Sequence, residues 1–151
     1  MIDSRYEIKF ILNSPQFSQA LKWLSFHTSA KEAYEPRTVN SIYFDDNHFS
    51  SVKDNLIGIS KRSKYRLRWY GEFAQQHSDE IYFEIKSRVN RTGHKTREKI
   101  SLNSNLNELK FCELQAILKK QLLNNFNFDK ALYPTLQVAY KRKYFEGSQG
   151  I

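Results

Sequence analysis

The chain has 151 residues, a length that fits one domain, and its 40% hydrophobic and 15% aromatic content is enough for a packed core, so disorder is not expected. Twenty-four Lys and Arg against 16 Asp and Glu give a formal charge of +8 and a pI near 9.5, which predicts a surface or interior channel that attracts polyanions. A single cysteine, Cys112, excludes an intrachain disulfide framework; Met1 to Arg5 hold no apolar stretch suited to a signal peptide, and no apolar segment approaches the roughly 18 residues of a membrane span, so a cytoplasmic location is expected.

In chain order, a first strand is predicted from about Arg5 to Leu12, with Arg5, Glu7 and Lys9 on one face and Tyr6, Ile8 and Phe10 on the other. Asn13-Ser14-Pro15 ends it, and Ser14 is expected to cap a helix whose stripe is Phe17, Ala20, Leu21 and Leu24. A polar connection through Lys31, Glu32 and Pro36 leads to a second strand, Thr38 to Asp45, and Asp45 and Asp46 read as turn residues rather than ligands. Residues 48–58 suit either a short helix or an irregular connection.

Strands are then expected near Lys64–Tyr70, Ile81–Arg88 and Lys95–Leu102, with loops at Gly71–Asp79 and Asn90–Gly93. Asn107 is a candidate cap for a second helix with a buried stripe of Leu114, Ile117, Leu118 and Leu122, and Pro134–Phe145 is a last strand. Residues 1–145 form one domain in this reading and residues 146–151 a disordered tail.

The most informative feature is period-two charge. Lys64, Arg66 and Arg68 oppose Tyr65, Leu67 and Trp69; Glu84, Lys86 and Arg88 oppose Phe83 and Ile85; Lys95, Arg97 and Lys99 repeat the habit. A single such strand is explained as a solvated face or as protection against edge pairing, but recurrence in several strands favours one shared cationic surface. Six strands of this type with two amphipathic helices predict an α+β fold, an antiparallel β-barrel or tunnel with flanking helices and a concave ionic face. Like charges about 6 Å apart repel by roughly 3 kcal/mol at an effective dielectric of about 20, so converging cations need a ligand anion or interleaved carboxylates. Glu7 and Glu84 fit either the neutralising role or a share of a metal site, since Mg²⁺ on a phosphate chain takes only one or two protein carboxylates. His27, His48, His77 and His94 show no ligand spacing, and neither a Walker A motif nor a Gly-x-Gly-x-x-Gly loop is present.

Taken in order, Arg5-Tyr6-Glu7-Ile8-Lys9, Ser41-Ile42-Tyr43-Phe44-Asp45, Lys64-x-Arg66-x-Arg68-x-Tyr70-Gly71, Phe83-Glu84-Ile85-Lys86, Thr92-Gly93-x-Lys95-x-Arg97 and Val138-Ala139-Tyr140-Lys141-Arg142 resemble the VTC domain. This is the polyphosphate polymerase domain of the vacuolar transporter chaperone complex and its bacterial relatives, within the triphosphate tunnel metalloenzyme (CYTH-like) superfamily. The resemblance implies an eight-stranded tunnel that binds ATP, polyphosphate or inorganic triphosphate and transfers the γ-phosphoryl group of ATP to a polyphosphate chain with Mg²⁺ or Mn²⁺. It implies Lys9, Arg66, Arg68 and Lys86 as the catalytic set, Arg5, Lys64, Lys95, Arg97, Lys99, Tyr140 and Arg142 as further phosphate contacts, and Glu7 and Glu84 as metal carboxylates.

Two departures bear on that implication. Arg5 stands where hydrolase and cyclase branches of the superfamily carry the first Glu of Glu-x-Glu-x-Lys, which favours the polymerase branch over a triphosphatase. The family's pattern continues beyond the Tyr140-Lys141-Arg142 strand, so a tunnel incomplete at the C-terminus is expected, with activity of these residues alone in question and a homodimer formed by edge-strand pairing. A membrane partner protein is a further expectation. The alternatives are a non-catalytic module that senses polyphosphate, inositol phosphates or nucleotides, and, lowest, single-stranded nucleic acid binding through Trp69 and Tyr70; the aromatics alternate away from the cations, so no nucleic acid is expected.

Overall fold

The computed structural model describes residues 8–71, 80–90, 92–102, 104, 106, 108–122 and 131–147. The elements are α1 (Ser14–His27), β1 (Lys31–Asp45), α2 (Ser50–Ile57), β2 (Lys61–Tyr70), β3 (Ile81–Val89), β4 (Thr92–Ile100), α3 (Phe111–Leu122) and β5 (Tyr133–Glu146). The strands form one five-stranded sheet in the order β4-β3-β2-β1-β5, antiparallel through the registers of β1 with β2, β2 with β3 and β3 with β4. The fold is therefore α+β as expected, but among the described residues the sheet is open, with β4 and β5 as its edges. Two compact units divide the chain: residues 1–36 with 143–151, and residues 37–142.

In the first unit, the strand expected over Arg5–Leu12 does not form across residues 8–12; Arg5 and Glu7 lie outside the described residues. Ile8, Phe10 and Ile11 are 76%, 78% and 101% exposed, so the apolar side chains there are not buried, and burial is what selects a strand from such a pattern. Helix α1 starts one residue earlier than the sequence suggests. Asn13, not Ser14, is the cap: its Oδ1 accepts from Gln16 N at 2.9 Å while Gln16 Oε1 accepts from Asn13 N at 3.0 Å, a reciprocal capping box. Ala20, Leu21 and Leu24 of the expected stripe are half-buried, whereas Phe17 is exposed. Tyr34 meets Tyr144 edge to face at 5.7 Å.

The second unit carries the core. Strand β1 begins at Lys31 rather than Thr38, and its pairing with β2 runs from Val39–Tyr70 to Phe44–Tyr65. Pro36 precedes that paired stretch, so its missing N–H costs no bond to β2. The segment left open by sequence resolves as α2, and two carboxylates supply its N-terminal acceptors. Asp45, 1% exposed, accepts from Ser51 N and Val52 N at 2.9 Å each, and Asp46 Oδ1 accepts from Ser50 N at 3.0 Å. Gly58, at φ 79°, ends the helix in the left-handed conformation that glycine adopts without strain.

Strands β3 and β4 pair further than the expected Asn90–Gly93 loop would allow: Thr92 and Gly93 already pair with Val89 and Arg88, and Asn90 takes a positive φ of 54°. Helix α3 starts at Phe111; the expected cap Asn107 lies outside the described residues, and Glu113 Oε2 accepts from Lys110 N at 2.8 Å. Its Leu114, Leu118 and Leu122 pack with Ile42, Phe44, Leu67, Trp69, Ile81, Phe83 and Ile100 into the core, with Ile117 beside them. Leu67 and Trp69 are fully buried. The apolar faces predicted for β2 and β3 are thus the helix-covered face of the sheet. No described helix is long and apolar enough to cross a membrane.

Candidate functional site

The face opposite the core is a grid set by register. Strands β2, β3 and β4 place Lys64, Lys86 and Lys95 directly opposite one another, then Arg66, Glu84 and Arg97, then Arg68, Tyr82 and Lys99. Each strand's period-two charges fall on the same face because paired residues share a face and neighbours along a strand do not. Strand β1 contributes Tyr43 opposite Arg66 and Ser41 opposite Arg68.

Glu84 is the hub of the grid. It is 2% exposed, and its oxygens are divided between the flanking strands. Oε2 accepts from Arg66 Nε at 2.7 Å and lies 2.6 Å from a second Arg66 nitrogen, with an Arg68 nitrogen at 3.9 Å. Oε1 takes Lys95 Nζ at 2.8 Å and has Arg97 Nε at 3.8 Å. Burial works to raise the Glu84 carboxyl's pKa, but the hydrogen bonds and charges of Lys95 and Arg66 outweigh it and hold it below its ordinary value. Burial likewise opposes the charged form of Arg66, and its bonds to Tyr43 and Glu84 more than offset this, raising its pKa.

Neutral side chains fix the guanidinium groups. Arg66 donates to Tyr43 Oη at 3.4 Å and Arg68 Nε to the buried Ser41 Oγ at 3.2 Å. Arg97 lies over the Tyr82 ring, 3.4 Å from its centroid, a stacking that leaves the guanidinium edge available to a further acceptor. These supports were missed by sequence reasoning. For Ser41 and Tyr43 the usable signal was their own period-two spacing on β1, whereas the Tyr82–Arg97 pairing depends on register.

Among the described residues, none of the ion pairs involves Lys64, Lys86 or Lys99. Directly opposed like charges destabilise a sheet, so the Lys64–Lys86–Lys95 row carries an electrostatic cost that a bound polyanion would relieve. Beside this row is a cavity of about 320 Å³ whose lining includes Tyr43, Lys64, Val52, Leu56 and Leu136. It is mostly apolar yet shares Tyr43 and Lys64 with the cationic face.

Of the residues expected at the site, Arg66, Arg68, Lys95 and Arg97 come together within 4 Å of Glu84, and Lys64, Lys86 and Lys99 extend the same face. Tyr140 and Arg142 lie on β5, separated from β3 by β2 and β1. Lys9 belongs to the first unit, and Arg5 and Glu7 fall outside the described residues. Both oxygens of Glu84 are engaged by cations, an arrangement that fits the neutralising role, and among the described residues no group of three or more His, Cys, Asp or Glu comes together. This donor set does not suit a divalent ion held by protein alone.

Subunit 2 of the vacuolar transporter chaperone complex of Saccharomyces cerevisiae is 25% identical over 103 residues, a match that covers 68% of this chain and 11% of the yeast protein. The VTC domain family model matches residues 4–150, which include every strand of the cationic grid. On that match the chain belongs to the VTC domain family, which is linked to polyphosphate synthesis.

Proposed function

We propose that the face built by β2, β3 and β4 binds a linear phosphate chain, either polyphosphate or the triphosphate of ATP, and takes part in transfer of the γ-phosphoryl group to a polyphosphate end. The observation that carries this is the opposed Lys64–Lys86–Lys95 row, of which Lys95 reaches Glu84, beside Arg66, Arg68 and Arg97 around the same carboxylate. Phosphoryl transfer asks the protein for positioning and charge stabilisation more than for covalent chemistry, and an array of fixed guanidinium and ammonium groups supplies both. The apolar cavity next to Tyr43 and Lys64 supports ATP as a ligand, since a nucleoside could lodge there while its phosphates reach the lysine row.

Mg²⁺ or Mn²⁺ belongs to this proposal as an ion carried by the phosphate oxygens and water, because Glu84 is already engaged. Closure of the sheet into a tunnel is part of the proposal. So are self-association through a sheet edge, and assembly with partner proteins at the cytoplasmic face of a membrane; the yeast relative's name as a subunit of a complex supports assembly with partners.

The test is incubation with ATP and Mn²⁺, followed by gel analysis of phosphate chain length, alongside calorimetric titration with tripolyphosphate. Lengthening chains support polymerisation. Tight tripolyphosphate binding without turnover would make the domain a binding module, and no preference for tripolyphosphate over sulfate would remove the proposal.

A further inference from the structure

The two oxygens of Glu84 are held by unlike partners. Arg66 grips Oε2 through two nitrogens at 2.6 and 2.7 Å, is 22% exposed, and is itself tied to Tyr43. Lys95 holds Oε1 through one contact at 2.8 Å, is 51% exposed, and sits on the edge strand β4 with Arg97, which is 42% exposed. One side of the carboxylate is therefore a rigid anchor and the other a single contact to a flexible, solvated cation.

We propose that Glu84 is a built-in stand-in for a ligand phosphate and the residue that sets selectivity for chain length. In the free protein Lys95 rests on Glu84 Oε1; a phosphate chain draws Lys95 and Arg97 onto its own oxygens, while Arg66 and Arg68 keep the buried carboxylate satisfied. The carboxylate competes with any incoming anion for the same cations. A ligand with one phosphate gains little over Glu84 and is repelled by it. A chain that reaches Lys64, Lys86 and Lys99 as well adds contacts that Glu84 cannot match. Discrimination against short phosphates follows from the carboxylate, and retention of long ones from the surrounding rows.

This inference rests on phosphate-chain binding as proposed above, and the experiment separates the two. The full chain and Glu84→Gln are titrated with orthophosphate, pyrophosphate and tripolyphosphate at fixed ionic strength. Orthophosphate affinity is expected to rise in Glu84→Gln, so that the ratio of tripolyphosphate to orthophosphate affinity falls by about tenfold or more. An unchanged ratio overturns the inference while leaving phosphate binding intact, whereas a wild-type chain with no preference for tripolyphosphate overturns the underlying reading. Should the variant fail to fold, carbon-13 NMR of the wild-type Glu84 carboxyl decides. A resonance that shifts with tripolyphosphate but not with matched orthophosphate supports displacement of Lys95, and one that moves with neither overturns it.

Discussion

Arg66 and Glu84 face each other across β2 and β3, and two nitrogens of the guanidinium lie 2.6 and 2.7 Å from one carboxylate oxygen. The carboxylate is 2% exposed, so its pairing is structural whatever its part in ligand binding. Removing a partner from a buried charge costs far more than an exposed ion pair contributes. Arg66→Ala is expected to lower stability by about 2 kcal/mol, because Lys95 and the nearby arginines only partly replace it. Lys95→Ala, at the half-exposed end, should cost under about 1 kcal/mol. Urea unfolding of the two variants measures the difference, and equal losses would contradict it.

The same carboxylate gives stability a pH dependence of defined sign. Its folded pKa lies below the ordinary value of 4.5, so its contribution is fully present above that value and is lost as pH falls through the folded pKa. Thermal unfolding from pH 7 down to pH 3 should therefore show a steeper decline for the wild type than for Glu84→Gln. Parallel curves would show that other carboxylates dominate acid unfolding.

The two faces of the β2–β3 pair should respond oppositely to substitution. Leu67 is fully buried among core side chains, and Leu67→Ala should cost about 2–5 kcal/mol. Lys64→Gln and Lys86→Gln remove like charges from one row and should leave stability unchanged or slightly raised while weakening tripolyphosphate binding by about tenfold each. Calorimetry in increasing salt checks the second half: each substitution should also flatten the dependence of affinity on salt.

The cavity shared with Tyr43 and Lys64 separates a nucleotide from a bare phosphate chain. Leu56→Gln, which makes its mostly apolar, solvent-open lining more polar without adding charge, is expected to reduce ATP affinity while tripolyphosphate affinity stays within about twofold. Competition binding with both ligands reads this directly, and equal weakening of the two would show that the cavity takes no part in nucleoside recognition.

At the start of α2, Asp45 accepts backbone N–H bonds from Ser51 and Val52 in a buried position. Asp45→Ala should lower stability by about 1–2 kcal/mol, visible as a fall in Tm with phosphate binding by Lys86 and Lys99 preserved. A loss of binding without a loss of stability would instead assign Asp45 to the ligand.

Much of this protein was settled by alternation along its strands. The period-two pattern of residues 64–70 and 81–88 fixed which side chains face the core and which face outward, because a strand offers only two faces and burial selects one. The same reasoning failed at residues 8–12, where the alternation breaks at Phe10-Ile11-Leu12 and Ile8, Phe10 and Ile11 stay exposed to solvent. Alternation could not say which cation would meet which carboxylate. Arg66, Lys95, Arg68 and Arg97 converge on Glu84 only because register aligns three strands, and register is a long-range property of pairing that no single segment encodes. The sequence by itself determined a two-faced, cationic sheet; tertiary structure decided that a carboxylate sits at its centre, since that depends on neighbours far away along the chain.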